Sequence, residues 1–172
     1  MARLLFGAEN PPGSRYISGS QDHLGFLLPG INRLYYAGEY WPEKIDSIRD
    51  ADTCRWLESV FHLVPLAPRP EGYDPLKVRR LDRRAIEQLG DSGAACYESI
   101  LNRDVDGLGE SLRRSLEAWK KILPETIPPW ADRKLRAYAS CLGATLSGAG
   151  GGYAIIASRT KAPGAFQIRI RH

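Results

Sequence analysis

Gly143-Ala144-Thr145-Leu146-Ser147-Gly148-Ala149-Gly150-Gly151-Gly152 contains five glycines in ten residues, and the apolar run Tyr153-Ala154-Ile155-Ile156-Ala157 follows it directly. The apolar run predicts a β-strand, and Ala144–Leu146 predicts a short strand before the glycines. Glycine adopts positive φ and allows close approach of a backbone or a phosphate, and such a loop can direct successive N–H groups at an anion. Two interpretations stay open: a tight hairpin with a crowded crossing, or an anion-binding loop, which the number of glycines favours.

The segments before and after this loop predict three helices and a final strand. Two amphipathic patterns predict a helical hairpin that is capped by Asp82 at its start and turns at Asn102–Asp104. Pro129 suits the first turn of a third helix that runs to about Ser140. Residues 165–170 alternate apolar and polar side chains, which predicts a strand with Phe166, Ile168 and Ile170 on a buried face.

The N-terminal part of the chain contains further strand patterns around short helices. Residues 1–18 include the turn-rich Asn10–Ser14 and do not resemble the start of a compact domain. From there the patterns predict a short helix at His23–Leu28, strands at Ile31–Tyr36 and Lys44–Ile48, a helix at Ala51–Glu58 capped by Asp50, and a strand at Val60–Leu66. The order of the predicted elements, with strands before and after a group of helices, predicts an α+β fold with an antiparallel sheet backed by a helical layer.

The composition is typical of a globular protein and excludes several function classes. The chain has 172 residues, of which 43% are apolar and 26% charged, with a net charge of +4. No apolar run is long enough to span a bilayer, and the first residues are too short and too polar for a secretory signal, so we expect a cytoplasmic protein. The basic residues are scattered without interleaved aromatic residues, which argues against nucleic-acid binding.

The cysteines and histidines do not indicate a metal site. The chain contains Cys54, Cys96, Cys141, His23, His62 and His172. No pair of these residues has the spacing of metal ligands. We expect the cysteines to be reduced, buried thiols. We expect His62 to be structural and the terminal His172 to be disordered.

A second glycine turn carries an acid near the other end of the chain, in Ser18-Gly19-Ser20-Gln21-Asp22. A desolvated Asp22 can act as a base, but it can also cap a helix that begins at His23, and the residues alone favour the cap. Ser20 and Gln21 can bind sugar hydroxyls or satisfy the turn backbone.

Together these segments resemble the GHMP kinase superfamily, which includes galactokinase, homoserine kinase, mevalonate kinase, and the heptose and fucose kinases. The stretch Gly143–Gly152 closely resembles their C-terminal glycine-rich motif. The stretch Gly19–His23, followed by Pro29-Gly30-Ile31-Asn32, looks like the Gly-x-x-Asp-Gln segment of the sugar kinases. The resemblance covers nearly the whole chain from about Ser18, and it implies the C-terminal, ferredoxin-like fold of these kinases.

The resemblance also implies roles for individual residues. Asp22 corresponds to the catalytic aspartate that faces the accepting hydroxyl, and Ser20, Gln21 and His23 lie along the acceptor pocket. The phosphate- and nucleotide-proximal residues are Ser147, Gly148, Ala149, Gly150, Gly151 and Gly152. Phosphoryl transfer depends mainly on positioning and charge neutralisation, which suits these residue types. His23 departs from the usual Gln after the aspartate.

One departure concerns the N-terminal half of these kinases, whose Pro-x-x-x-Gly-Leu-Gly-Ser-Ser loop holds the nucleotide phosphates. Pro11-Pro12-Gly13-Ser14 is a poor match. The expectation is therefore a remnant of the N-terminal domain at residues 1–36 and a C-terminal domain at residues 37–172. A missing or partner half then supplies ATP and Mg²⁺, and the chain is a truncated product, a subunit or a fragment, with a homodimer as a further option.

The predicted function is that of the C-terminal part of an ATP-dependent kinase that phosphorylates a hydroxyl of a sugar or sugar phosphate. The alternative is a non-catalytic module with the same fold that binds a small molecule or assembles with another subunit. An exposed apolar face on residues 1–36 would favour the missing partner half, and a closed surface there would favour the module.

Overall fold

A computed structural model of the chain describes residues 1–14 and 16–171. The chain divides into two compact units, Met1–Cys54 with the last residues from Ile170 onward, and Arg55–Arg169. The predicted α+β class, with antiparallel sheets and helices, is confirmed. His172, which we expected to be disordered, lies outside the described residues.

The first unit consists of two short helices, a two-stranded hairpin and the start of a third helix. Its elements are α1 (Ala2–Glu9), α2 (Gln21–Leu27), β1 (Ile31–Tyr35), β2 (Lys44–Ile48) and α3 (Ala51–Val60), which continues into the second unit. The strands are antiparallel, with Ile31 opposite Ile48 and Tyr35 opposite Lys44. The carboxylate of Asp50 accepts hydrogen bonds from the first turn of α3, at 3.2 Å from the Thr53 N–H, as the sequence predicted.

The second unit contains a four-stranded antiparallel sheet and the long helices. Its further elements are β3 (Phe61–Pro65), α4 (Arg83–Leu101), α5 (Val105–Ile122), a 3₁₀ turn (Pro124–Thr126), α6 (Pro129–Arg136), β4 (Gly143–Ser147), β5 (Tyr153–Ala157) and β6 (Phe166–Gln167). The order of the strands in the sheet is β4-β5-β3-β6. This order places β5 between two hydrogen-bonded strands, and its residues Ala154, Ile156 and Ala157 are buried.

The helical hairpin forms with the predicted cap at Asp82 and with a second cap, at Asp104, that the sequence analysis had not assigned. Oδ1 of Asp82 lies 2.7 Å from the N–H of Ala85 and caps α4, while Oδ1 of Asp104 lies 3.0 Å from the N–H of Gly107 and caps α5. Between the helices, Arg103 takes the left-handed conformation with φ 53°. This single left-handed residue is enough to reverse the chain between two antiparallel helices.

The sheet packs against α5 by direct backbone contact. A Cβ on Gly143 would overlap the backbone of Gly109, and a Cβ on Gly109 would overlap the carbonyl of Leu142. The core beside this contact consists of buried side chains from the sheet and from the region of α6, which are Val64, Ile127, Ala131, Leu135, Leu146, Ala154, Ile156, Ala162 and Ala165. These contacts hold β4 and β5, and therefore the glycine loop between them, in place.

The structure corrects the sequence-based expectations at three elements. The turn-rich N-terminus contains α1, which the sequence had not predicted. Helix α6 ends at Arg136 rather than near Ser140, because the following residues form i→i−3 hydrogen bonds of single turns, such as Tyr138 to Leu135. Strand β6 has only two residues, and Phe166 is 59% exposed rather than buried, because β6 is an edge strand.

The cysteines are free, but their burial differs from the expectation. Cys54 is buried, whereas Cys96 and Cys141 are only half-buried. Burial raises the pKa of the Cys96 thiol, which keeps it protonated at neutral pH. His62 is buried in β3, in agreement with a structural role.

Candidate functional site

Asp22 lies in the first turn of α2 in the first unit. The helix begins at Gln21 with Ser20 at the N-cap position, so Asp22 is exposed on the second helical residue. The alternative in which Asp22 caps a helix that starts at His23 is therefore wrong. The helix starts two residues earlier than that alternative required, and the Asp22 carboxylate has no capping role in it.

Ser20 and Gln21 differ in accessibility. The side chain of Ser20 is fully buried, and its Oγ lies 3.0 Å from Oη of Tyr36. This hydrogen bond ties the start of α2 to the residue that follows β1. Gln21 is exposed and folds back over Gly19, where a Cβ would overlap its amide group. Gln21 is therefore accessible to a ligand, whereas the Ser20 hydroxyl is occupied within the protein.

His23 is anchored between the two N-terminal helices. Its side chain is only 10% exposed, and its Nε2 lies 2.8 Å from Oε2 of Glu9. The ring of Phe6 packs edge-on against the imidazole, with ring centroids 5.9 Å apart. Nδ1 of His23 is buried and has no hydrogen-bond partner among the residues that the structure describes.

An open groove on the first unit brings Asp22 and His23 together. Its lining consists of Leu5, Ala8, Glu9, Asp22, His23 and Phe26, and we call it the Asp22 groove. Three of these side chains are apolar, two are carboxylates and one is an imidazole. Such a groove offers apolar and polar contacts to one side of a small molecule.

Apolar side chains next to this groove are also exposed. Helix α1 has eight residues and none of them is buried. Leu4 is 72% and Phe26 is 73% exposed, and Met1 and Leu5 are exposed as well. We call these four residues the α1–α2 apolar face. Contiguous exposed apolar residues on a small domain mark an interaction surface.

The glycine loop Gly148–Gly152 connects β4 and β5 in the second unit, and its backbone requires glycine at four positions. Positive φ angles occur at Gly148 (83°), Gly150 (74°), Gly151 (135°) and Gly152 (80°). A side chain at any of these positions would be strained. Ser147 ends β4 opposite Tyr153 and closes the hairpin.

Two of the loop amides are already used within the protein. The N–H of Gly150 donates to the carbonyl of Thr126 (2.8 Å), and the N–H of Gly152 donates to that of Ala67 (2.9 Å). Within residues 1–14 and 16–171, the amides of Gly148 and Ala149 donate to no protein acceptor. Only part of the loop is therefore available to bind an anion.

Aromatic rings pack against the middle of the loop. A Cβ on Gly150 would overlap the ring of Tyr73, and a Cβ on Gly151 would lie 2.8 Å from Cη2 of Trp130. The hydroxyl of Tyr73 donates to the carbonyl of Glu125 at 2.8 Å, and burial raises the pKa of this phenol. Gly150 and Gly151 are therefore explained by packing, as the crowded hairpin interpretation requires.

The other end of the loop is open and lies beside a cation. Gly148 is exposed, and Nη2 of Arg69 lies 3.6 Å from the position that a Cβ on Gly148 would occupy. Sequence reasoning missed Arg69, Tyr73 and Trp130, because they reach the glycine loop from segments that are distant along the chain. Arg69 and Tyr73 also lie in a proline-rich loop without periodicity. Gly148, Ala149 and Arg69 together can contact an anionic group.

The described residues contain neither a cluster of metal ligands nor a membrane-spanning helix. In this part of the chain no three His, Cys, Asp or Glu side chains form a group that can hold a metal ion, so these residues alone do not fit a magnesium site. None of its helices is both long and apolar enough to cross a membrane.

Comparisons with known proteins identify a sugar-kinase-like fold. A D-glycero-D-manno-heptose 1-phosphate kinase from Bacteriodes thetaiotaomicron is similar with a TM-score of 0.64 and 13% sequence identity, over 99% of this chain and 51% of that chain. A Campylobacter jejuni protein assigned as a sugar kinase is similar with a TM-score of 0.56 and 15% identity, over 92% of this chain and 44% of that chain. The chain thus spans about half the length of these structures. No family model and no curated protein matches the sequence.

Proposed function

We propose that the chain is the C-terminal portion of an ATP-dependent, GHMP-type kinase that phosphorylates a hydroxyl of a sugar or sugar phosphate. The observation that carries this proposal is the similarity to two sugar-kinase structures over nearly the whole chain, although the chain covers only about half of each. Residues 1–36 then correspond to a remnant of the N-terminal domain, and residues 37–172 correspond to the C-terminal domain.

The proposed reaction uses Asp22 as the base. The acceptor hydroxyl attacks the γ-phosphorus of ATP, its proton passes to the Asp22 carboxylate, and the bond to the bridging oxygen breaks so that ADP leaves. Gln21 and His23 contact the acceptor, while Ser20 fixes the start of α2 through its hydrogen bond to Tyr36.

The loop Ser147–Gly152 lies near the phosphates in this proposal. Its available amides at Gly148 and Ala149, with the guanidinium of Arg69, would contact the phosphate oxygens. Gly150 and Gly151 would hold the shape of the loop through their packing rather than bind phosphate themselves.

ATP and Mg²⁺ are proposed to come to the site with a complementary half of the kinase fold. The α1–α2 apolar face supports this part of the proposal. Met1 and Leu4 are 78% and 72% exposed and do not line the Asp22 groove, so a complementary half that covers this end of the face would bury them and leave the groove open. The residues that bind the metal would then belong to the complementary half.

A second candidate is a non-catalytic module that binds a small molecule or another subunit. The observation that favours it is the use of the Gly150 and Gly152 amides by the carbonyls of Thr126 and Ala67. A phosphate-binding loop would leave more of its amides available. The two candidates differ in whether the chain binds nucleotide and whether Asp22 matters for turnover.

Calorimetric titration of ATP–Mg²⁺ and of a sugar panel into the purified chain, followed by a kinase assay on any sugar that binds, tests the proposal. We expect saturable nucleotide binding at the open end of the glycine loop. Because the residues that bind the metal belong to the complementary half, we expect turnover only when that half is present, and Asp22→Asn should then lower it by about 10²–10⁴-fold, as for loss of a general base. Asp91→Asn is the matched control, because Asp91 is an exposed helical aspartate of α4. Sugar binding without nucleotide binding would favour the module, and full turnover in Asp22→Asn would contradict the assigned role.

A further inference from the structure

The charge of the Asp22 groove limits the substrates that it can bind. The groove contains two carboxylates, those of Glu9 and Asp22, and neither Lys nor Arg lines it. The phosphate group of a sugar phosphate is recognised in proteins by Arg, Lys or backbone N–H groups. A dianionic ester placed in this groove would meet two like charges without a compensating cation, and it would be repelled.

The same lining suits an uncharged sugar. Carboxylate oxygens accept hydrogen bonds from hydroxyl groups. Asp22 offers two such oxygens and Glu9 offers Oε1, because its Oε2 is bound to Nε2 of His23. The ring of Phe26 is 73% exposed and provides a flat apolar surface, together with Leu5 and Ala8, for the C–H face of a sugar ring. Apolar contact with a few directed hydrogen bonds is the usual form of a small-molecule site.

His23 forms part of the wall of the groove and is itself largely buried. It lines the groove, its side chain is 10% exposed, and its Nδ1 has no hydrogen-bond partner within the described part of the chain. A buried polar atom without a partner is rare in folded proteins and calls for an explanation. The bond from Nε2 to Glu9 also fixes this carboxylate on the wall of the groove.

We infer that the Asp22 groove binds an uncharged sugar or a similar polyol and discriminates against its phosphate esters. As an assignment of the phosphoryl acceptor, this inference rests on the proposed function, and it narrows the acceptor from a sugar or sugar phosphate to the sugar alone. As an assignment of a binding site, it rests only on the groove.

The test is a binding comparison on the full chain by calorimetry. The probes are D-mannose and D-galactose, each paired with its 1-phosphate. We expect each sugar to bind at least about tenfold more tightly than its phosphate, with the ratio shrinking as salt rises from about 0.01 M to about 1 M because the repulsion is screened. Glu9→Gln should reduce the discrimination, because it removes one of the two like charges in the lining.

Two aromatic variants locate the site. Phe26→Ala should weaken sugar binding by at least about tenfold, whereas Phe166→Ala should leave it unchanged, because Phe166 is an exposed phenylalanine of β6 in the other unit. Circular dichroism confirms that both variants fold. Unchanged sugar binding in Phe26→Ala would overturn the assignment of the site.

The outcomes separate this inference from the proposed function. Tighter binding of the 1-phosphates, or binding of neither class of probe, would overturn the inference, and a kinase assay that then shows phosphorylation of a sugar phosphate would leave the proposed function standing. Conversely, selective binding of uncharged sugars without any nucleotide binding would support the inference and contradict the proposed phosphate role of the glycine loop.

Discussion

Replacing Gly150 by alanine should destabilise the second unit more than any ordinary loop substitution. Gly150 has φ 74°, and a Cβ there would overlap the ring of Tyr73. The left-handed conformation costs alanine about 1–2 kcal/mol, and forcing a methyl group into an occupied space costs about 1–3 kcal/mol more. The ring cannot move freely, because its hydroxyl donates to the carbonyl of Glu125. We therefore expect a loss of about 2–5 kcal/mol of unfolding free energy.

Gly152→Ala is the matched control for this prediction. Gly152 has φ 80°, but a Cβ there would meet no atom within 4 Å. It should therefore cost only the conformational part, about 1–2 kcal/mol. The difference between the two variants measures the contact with the ring, and Tyr73→Ala should reduce that difference in a double-mutant cycle.

Urea denaturation followed by far-ultraviolet circular dichroism provides the measurement. The signal comes mainly from the long helices α4 and α5, which belong to the same unit as the loop. Equal losses in Gly150→Ala and Gly152→Ala would refute the reasoning, because the ring would then not restrict the space at Gly150. A changed denaturant slope would instead indicate loss of two-state unfolding.

Three further predictions concern titration and phosphate binding. Burial lowers the pKa of His62, so the unfolded state binds more protons than the folded state near this pKa. The unfolding free energy should therefore fall as the pH drops below about 6.5. His62→Gln should weaken this pH dependence in urea denaturation at several pH values. The hydrogen bond from Tyr35 is the main reason that the pKa of Asp46 is lowered, so Tyr35→Phe should raise it in an NMR titration; an unmoved pKa would contradict the bond. Gly148→Ala should weaken nucleotide binding at a stability cost of only about 1–2 kcal/mol, and unchanged calorimetric affinity would exclude this amide from the phosphate site.

Much of the fold could be predicted because its signals are local. Strands Lys44–Ile48 and Tyr153–Ala157 have the predicted bounds. The predicted caps of α3 and α4 form because an aspartate accepts bonds from amides two or three residues ahead of it in the chain. By contrast, the exposure of Phe166 depends on β6 being an edge strand, which alternation of residue types does not reveal.

The candidate site was predictable only in part, for the same reason. The glycine count identified the loop, but it did not distinguish the glycines that pack from those that are open. That distinction depends on Tyr73 and Trp130, which come from distant segments of the chain. The groove around Asp22 likewise depends on α1, which the sequence had not predicted.

Some glycines of the loop pack against aromatic rings and others are open, and this difference determines which variants can distinguish a kinase from a non-catalytic module. Aromatic rings leave no space for a side chain at Gly150 or Gly151, whether or not a phosphate binds. Loss of activity after their substitution would therefore indicate a folding defect rather than a lost phosphate contact. Gly148 is exposed beside Arg69, and its amide has no acceptor within the described residues. A side chain at Gly148 therefore changes phosphate access with little change in packing, and Arg69→Ala removes the neighbouring charge without touching the loop. If nucleotide affinity falls in both variants while the unfolding free energy changes by no more than about 2 kcal/mol, the glycines serve phosphate binding as well as the hairpin.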